Sequence, residues 1–295
     1  MPVPRPRDTV ADALPQVTRP RAPGGTGRGG EAPVVLHPAP PAPSHPKVRI
    51  GRAELACVSM AEALDDVRRL ALGPDAALVV TANADHVVRM QTDEGLAAAY
   101  AAADLALIDG QPLAWTARLM AQPTPRVAGV DLFETLCASA DSADSRLRLF
   151  LLGGSERNSA AALSVLRERH PALSIVGRNT DWVTPENSAR VVDEIRSSGA
   201  NVVAVFFGCP KQERWVHEHR DALPAGAYLC LGGTVDIVSG ALPRAGRRWQ
   251  ALGLEWLHRL MLEPRRLWRR YLVADLPFAL IALRSVRASR RHPPP

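Results

Sequence analysis

Between Lys47 and Leu231 short apolar runs alternate with longer amphipathic stretches. Val48-Arg-Ile50 and Glu54-Leu-Ala-Cys-Val58 read as short strands, and Ser59 is placed to cap a helix over residues 60–72. Ala77-Leu-Val-Val80 is continuously apolar, the pattern of a strand buried on both faces. It ends in Thr81-Ala-Asn83, and a helix is predicted over residues 84–103. The same alternation continues with a strand over 104–108, helices over 113–121 and 132–140, and a strand over 147–152. Beyond Gly153-Gly-Ser155 come a helix to His170, a strand over 173–176, a loop with Asp181 and Trp182, and a helix over 185–197. Asn201 to Phe207 and Ala227 to Leu231 read as the last strands, with a helix carrying Trp215 to Arg220 between them.

Strands separated by helices require crossover connections. The expected fold is therefore α/β: a Rossmann-like, largely parallel sheet with helices on both faces. In such sheets ligands bind outside the C-terminal strand ends. Five polar clusters follow strands: Thr81 with Asn83, Asp109, Gly153-Gly-Ser155, Lys211 with Gln212, and Gly232 to Asp236. Asp109, on the strand tip Asp104-Leu-Ala-Leu-Ile108, is the candidate catalytic base; an Asx turn with Gly110 or a helix cap is the structural alternative. The two glycine pairs could bring backbone N–H groups to a phosphate, although neither is a dinucleotide fingerprint or a Walker loop. Asp236 could accept hydrogen bonds from a ribose or uracil, or serve a helix N-terminus.

Composition divides the chain into three. Residues 1–46 hold 12 of the 26 prolines and are expected to stay unfolded. Residues 47–243 form the Rossmann-like domain and carry a net charge of −5; residues 244–295 carry +9, with 12 arginines against three acids. A basic tail on an acidic body points to an anionic partner. Within the tail, Trp249 to Met261 and Arg265 to Tyr271 pattern as amphipathic helices with tryptophan on the apolar side and arginine on the polar side. They suit either an anionic membrane surface or a helical cap packed on the domain. No apolar run is long enough to span a bilayer, and no leader peptide is expected. The four cysteines form no C-x-x-C, and no His/Cys/Asp set shows metal-ligand spacing, so free thiols and no metal are expected.

Several motifs then fall in one order: Thr81-Ala-Asn-Ala-Asp85, Leu107-Ile-Asp-Gly110, Val127-Ala-Gly-Val-Asp-Leu132, Phe150-Leu-Leu-Gly-Gly154, Gly208-Cys-Pro-Lys-Gln-Glu213, Gly232-Gly-Thr-Val-Asp236, Gly253-Leu-Glu-Trp256 and the segment from Glu263 to Tyr271. In this the chain resembles the WecG/TagA/CpsF family of bacterial glycosyltransferases over about residues 47–275. The resemblance implies inverting transfer from a UDP-sugar to a polyprenyl-diphosphate-linked sugar in cell-envelope or exopolysaccharide synthesis. It also implies a cytoplasmic enzyme, peripheral on the inner face of the plasma membrane, with a C-terminal helical appendage. Asp109 falls on the family's base. Thr81, Asn83, Gln212 and Asp236 fall on its substrate-binding positions, and Arg259, Arg266 and Arg269 on appendage arginines that hold the lipid diphosphate. Neither cofactor nor metal is implied. Two departures, Thr81-Ala-Asn-Ala84 in place of T-x-N-P and Arg244-Ala-Gly246 in place of R-A-P, remove no reactive group.

Rival readings are a non-catalytic nucleotide-sugar binder and a nucleotide-dependent oxidoreductase, the latter disfavoured by the missing fingerprint. A nucleic-acid module is disfavoured by the acidic body. An appendage whose apolar face needs cover fits a bilayer or a second copy in a homo-oligomer.

Overall fold

The computed structural model describes residues 45–140, 146–246, 249, 254–269 and 276–291. The extension expected to stay unfolded lies outside the described residues, apart from His45 and Pro46. Strands β1 (Lys47–Ile50) and β2 (Ala53–Ala56) form an antiparallel hairpin closed by Gly51 and Arg52. The remaining strands are β3 (Ala76–Ala82), β4 (Leu105–Ile108), β5 (Arg148–Gly153), β6 (Ser174–Asn179), β7 (Val202–Phe206) and β8 (Gly226–Cys230). They make a six-stranded sheet in the order β4-β3-β8-β7-β5-β6, with every pairing parallel.

Side chains on successive strand residues enter two separate cores. Leu78, Val80, Val203, Val205, Tyr228 and Cys230 face one; Val79, Val202, Ala204, Ala227 and Leu229 face the other. The second core is covered by α1 (Met60–Ala71), α5 (Gly129–Ser139), α6 (Glu156–Arg169) and α9 (Thr234–Val238). The first is covered by α2 (Ala84–Arg89), α3 (Glu94–Ala101), α4 (Gln111–Leu119), α7 (Pro185–Ser198), α8 (Lys211–Glu218) and α12 (Pro277–Arg291). Burial on both faces explains why these strands read as unbroken apolar runs. Helices α10 (Glu255–Leu262) and α11 (Pro264–Arg269) precede α12.

The expected helix over 84–103 is two helices. Asp93 breaks it: its carboxylate accepts from Leu96 N–H at 2.8 Å as the N-cap of α3 and pairs with Arg214. Side-chain competition with the backbone is the usual reason that Asp leaves a helix interior for a cap. Helix α5 begins at Gly129, earlier than the pattern suggested, and β3 runs through Thr81 to Ala82.

Helix α12 returns to the domain. Phe278 and Val286 are buried in the first core, and Ser285 Oγ accepts from Gly51 N–H at 3.0 Å. Gly51 has φ of +59°, and a β-carbon there would lie 2.8 Å from Ile281 Cγ2, so the hairpin turn doubles as the seat of α12. The opposite side of α12 exposes Leu280 and Leu283, and Leu276 is exposed just before the helix. Among the described residues no helix is long and apolar enough to cross a membrane.

Truncating the buried anchor tests whether α12 belongs to the cooperative unit. Phe278→Ala should lower the free energy of unfolding by on the order of 3 kcal/mol. A single urea transition with a reduced midpoint is the expected readout; an unchanged midpoint would show α12 to be detached in solution.

Candidate active site

Parallel strands bring β3, β4, β5, β7 and β8 to one edge at their C-terminal ends. Asp109 extends β4 by one hydrogen bond: its N–H and that of Gly110 both donate to Ala82 O, at 2.9 and 3.0 Å. Val127 N–H donates to Ile108 O at 2.7 Å, drawing the turn before α5 against the same strand tip. Two close approaches need glycine. A β-carbon on Gly110 would lie 3.0 Å from Asn83 Cα, and one on Gly129 would lie 3.3 Å from Thr81 Oγ1. Asp109, Asn83 and Thr81 are thereby gathered at the β3 and β4 tips. Asp109 is half-buried, and Thr81 is buried with its hydroxyl donating to Cys230 O at 3.4 Å. Asn83 N-caps α2, accepting from His86 N–H at 3.3 Å.

Sequence reasoning missed Arg126, which sits in a loop between α4 and α5 beside Pro123, Thr124 and Pro125. Its guanidinium bonds Glu255 of α10 at 2.8 Å and approaches Asp131 at 4.0 Å. Burial lowers the pKa of Arg126, but the Glu255 bond and then the charges of Asp109, Glu255 and Asp131 more than reverse this, so it is raised. A cation is thus held in the field of the candidate base. Arg126 also lines, with Gln111, Trp115 and Arg118, an open groove of about 670 Å³ that begins at the N-terminus of α4. Its flanking loop could have been flagged only by the basic residue adjoining the Val127 motif.

Gln212 is buried, and its side chain joins two loops. Its Oε1 accepts from Gly208 N–H at 3.2 Å and from Gly232 N–H at 3.0 Å, while its Nε2 donates to Glu213 Oε1 at 2.8 Å. Gly208 and Gly232 have φ of +77° and +54°, conformations that glycine adopts at little cost. Asp236 lies in the first turn of α9 and accepts from Asn158 Nδ2 at 2.7 Å, which links α9 to α6. Gly153 and Gly154 also have positive φ and precede Ser155, whose hydroxyl caps α6. Lys211 lies over the Trp182 ring, 3.5 Å from its centroid, and desolvation lowers its pKa. The side chains of Arg259, Arg266 and Arg269 lie outside the described residues, although their helices α10 and α11 do not.

Beneath this edge lies a buried polar group. Glu213 has no solvent exposure, and burial pushes its carboxyl up to about 7, with the Gln212 bond opposing. Tyr100 hydroxyl donates to Thr81 O at 3.2 Å, so His86 Nδ1, 2.8 Å from that hydroxyl, is the donor to it. The four cysteines Cys57, Cys137, Cys209 and Cys230 are free thiols.

The Gln212 bridge has a direct test. Gln212→Met keeps the volume but leaves two loop N–H groups without their acceptor, a loss of about 2–4 kcal/mol of stability. Amide exchange at Gly208 and Gly232 should accelerate together; protection unchanged at both would exclude the bridge.

The geometry agrees with comparison to known families. Residues 48–292 match the model of the glycosyl transferase WecG/TagA/CpsF family, which spans most of the chain and all the motifs described above. The six-stranded parallel sheet, the strand-tip carboxylate and the C-terminal helices all fall within that match, and the chain belongs to the WecG/TagA/CpsF family of glycosyltransferases.

Proposed function

We propose that this glycosyltransferase moves a sugar from a UDP-sugar to a polyprenyl-diphosphate-linked sugar at the cytoplasmic membrane face, with inversion at C1, in envelope polymer or exopolysaccharide synthesis. The observation that carries the reading is Asp109, a half-buried carboxylate fixed at a strand tip by the Ala82 hydrogen bonds and facing the field of Arg126. A carboxylate so placed is suited to take the proton of an acceptor hydroxyl as that oxygen attacks C1. One bond forms between the acceptor oxygen and C1, the bond from C1 to the UDP oxygen breaks, and the proton passes to Asp109.

The donor side is assigned to the glycine turns. Gly153 and Gly154 precede the capped N-terminus of α6, where backbone N–H groups and the helix dipole favour a diphosphate. Asn158 and Asp236, already joined across α6 and α9, adjoin that edge and are assigned to the nucleoside. Thr81 and Asn83 are assigned to the sugar, and Gln212 to holding the loops that surround it. The leaving UDP is stabilised in this scheme by guanidinium and backbone N–H groups rather than by a divalent ion. The acceptor diphosphate is assigned to Arg259, Arg266 and Arg269. Exposed Trp115 and Leu119 on α4, with Leu280 and Leu283 on the α12 helix packed against it, are assigned to the lipid surface.

Asp109→Asn should bind UDP as the native chain does and release UDP from a UDP-sugar at least ~100-fold more slowly in the presence of a short-chain polyprenyl-diphosphate-GlcNAc acceptor. Undiminished acceptor-dependent release would remove Asp109 from the chemistry. Replacing Trp115, Leu119, Leu280 and Leu283 by serine should reduce co-sedimentation with anionic vesicles several-fold without changing the thermal midpoint. Equal sedimentation of variant and native chain would assign these side chains another role.

A further inference from the structure

The residue spacing gives no sign of a metal site, yet folding assembles one set of mixed donors. His86 comes from the first turn of α2, Cys209 from the loop after β7, and Glu213 from the first turn of α8. A ring nitrogen of His86, the Cys209 sulfur and a Glu213 carboxylate oxygen all lie within 4.8 Å of one another. His86 and Glu213 are buried, and Cys209 is only partly so, which leaves a path from solvent.

A second observation points to a ligand rather than to packing. Glu213 is fully buried; its Oε1 is satisfied by Gln212, the Cys209 thiol bonds its carboxyl, and its Oε2 has no stronger donor among the described residues. A thiol is a weak donor, so a buried carboxylate served by it is poorly satisfied. The surroundings also prepare the histidine. Tyr100 donates its one hydrogen to Thr81 O and accepts from His86 Nδ1, which orients the ring and leaves the lone pair on Nε2. Metal-binding imidazoles are held in this manner by an outer partner.

We infer that His86, Cys209 and Glu213 form a zinc site directly beneath the Gln212 bridge. The donor set of imidazole, thiolate and carboxylate suits Zn²⁺ over Mg²⁺ or Ca²⁺, which take oxygen ligands. Zinc bonds of about 2.0–2.3 Å place neighbouring ligand atoms within about 4 Å of each other, so small side-chain rotations close the set. Binding expels the Cys209 thiol proton and any proton on Glu213, and leaves one coordination position for water. The proposed transfer routes no step through the ion. It would staple α2 to α8 and, through Glu213 and Gln212, hold the Gly208 and Gly232 loops. The inference stands independently of the donor and acceptor assigned above.

The test uses the full chain, stripped with chelator and titrated with Zn²⁺ against a chromophoric competitor, and separately with Co²⁺. Equimolar zinc binding and a thiolate-to-cobalt charge-transfer band are expected. Cys209→Ser should abolish the band and weaken zinc at least tenfold, as should Glu213→Gln, whereas Cys57→Ser should alter neither. Circular dichroism checks that each variant is folded, and the partly exposed Cys209 keeps the test usable if the Glu213 variant is not. Absence of zinc binding by the native chain would overturn the inference. So would a cobalt band that survives Cys209→Ser or disappears in Cys57→Ser.

Discussion

Parallel pairing is the constraint on which everything else in this molecule depends. A parallel strand cannot return through a tight turn, so each connection crosses a face of the sheet and every strand ends at the same edge. That edge carries the polar residues because it is the part of the sheet that the covering helices leave open. The strand order adds a second condition. From β5 the chain moves outward to β6, whereas from β7 it moves inward to β8, so the loops after β5 and β7 depart in opposite directions and leave a crevice between them. The glycine pair after β5 and the Gly208 loop after β7 flank that crevice. Their positive φ values keep the backbone close to whatever occupies it.

What the sequence disclosed follows from the same physics. A strand buried on both faces is uniformly apolar, so β3, β7 and β8 are visible as runs, and a carboxylate directly after such a run is conspicuous. Asp109 and the glycine turns were legible for that reason. Helix boundaries were less so, because Asp93 acts as a cap only in its actual surroundings, where it also holds Arg214. Arg126 was not legible at all. Its meaning comes from Asp109 and Glu255, which are distant in sequence and adjacent only after folding. Glu213 was hidden by its type, since glutamate at a helix start ordinarily faces water, and nothing in its spacing reveals that it is enclosed. The His86, Cys209 and Glu213 set shares this difficulty, being contributed by opposite ends of the sheet's chain path.

Helix α12 lies beyond the two segments, residues 249–261 and 265–271, for which sequence patterning kept a helical cap and a membrane surface as alternatives. Helix α12 is a cap, with Phe278 and Val286 buried and Ser285 bonded to the hairpin turn. Its other side nonetheless exposes leucines next to Trp115 and Leu119 of α4. One helix can therefore complete the core and present apolar surface at once. Arg284, Arg287, Arg290 and Arg291 fall on the same outward side as Leu280 and Leu283, so the exposed leucines are interleaved with cations.

The pair formed by Arg126 and Glu255 carries a different implication. Both side chains are largely buried, and they join the loop beside Asp109 to helix α10 of the C-terminal region. An anion that takes the Arg126 guanidinium for itself must compete with Glu255, and in doing so it loosens the hold on α10. Thermodynamic reciprocity then applies: any contact that draws α10 away from the loop strengthens anion binding at Arg126 by the same factor. A single ion pair thus makes occupancy near the strand tips and the placement of the C-terminal helices two readings of one equilibrium.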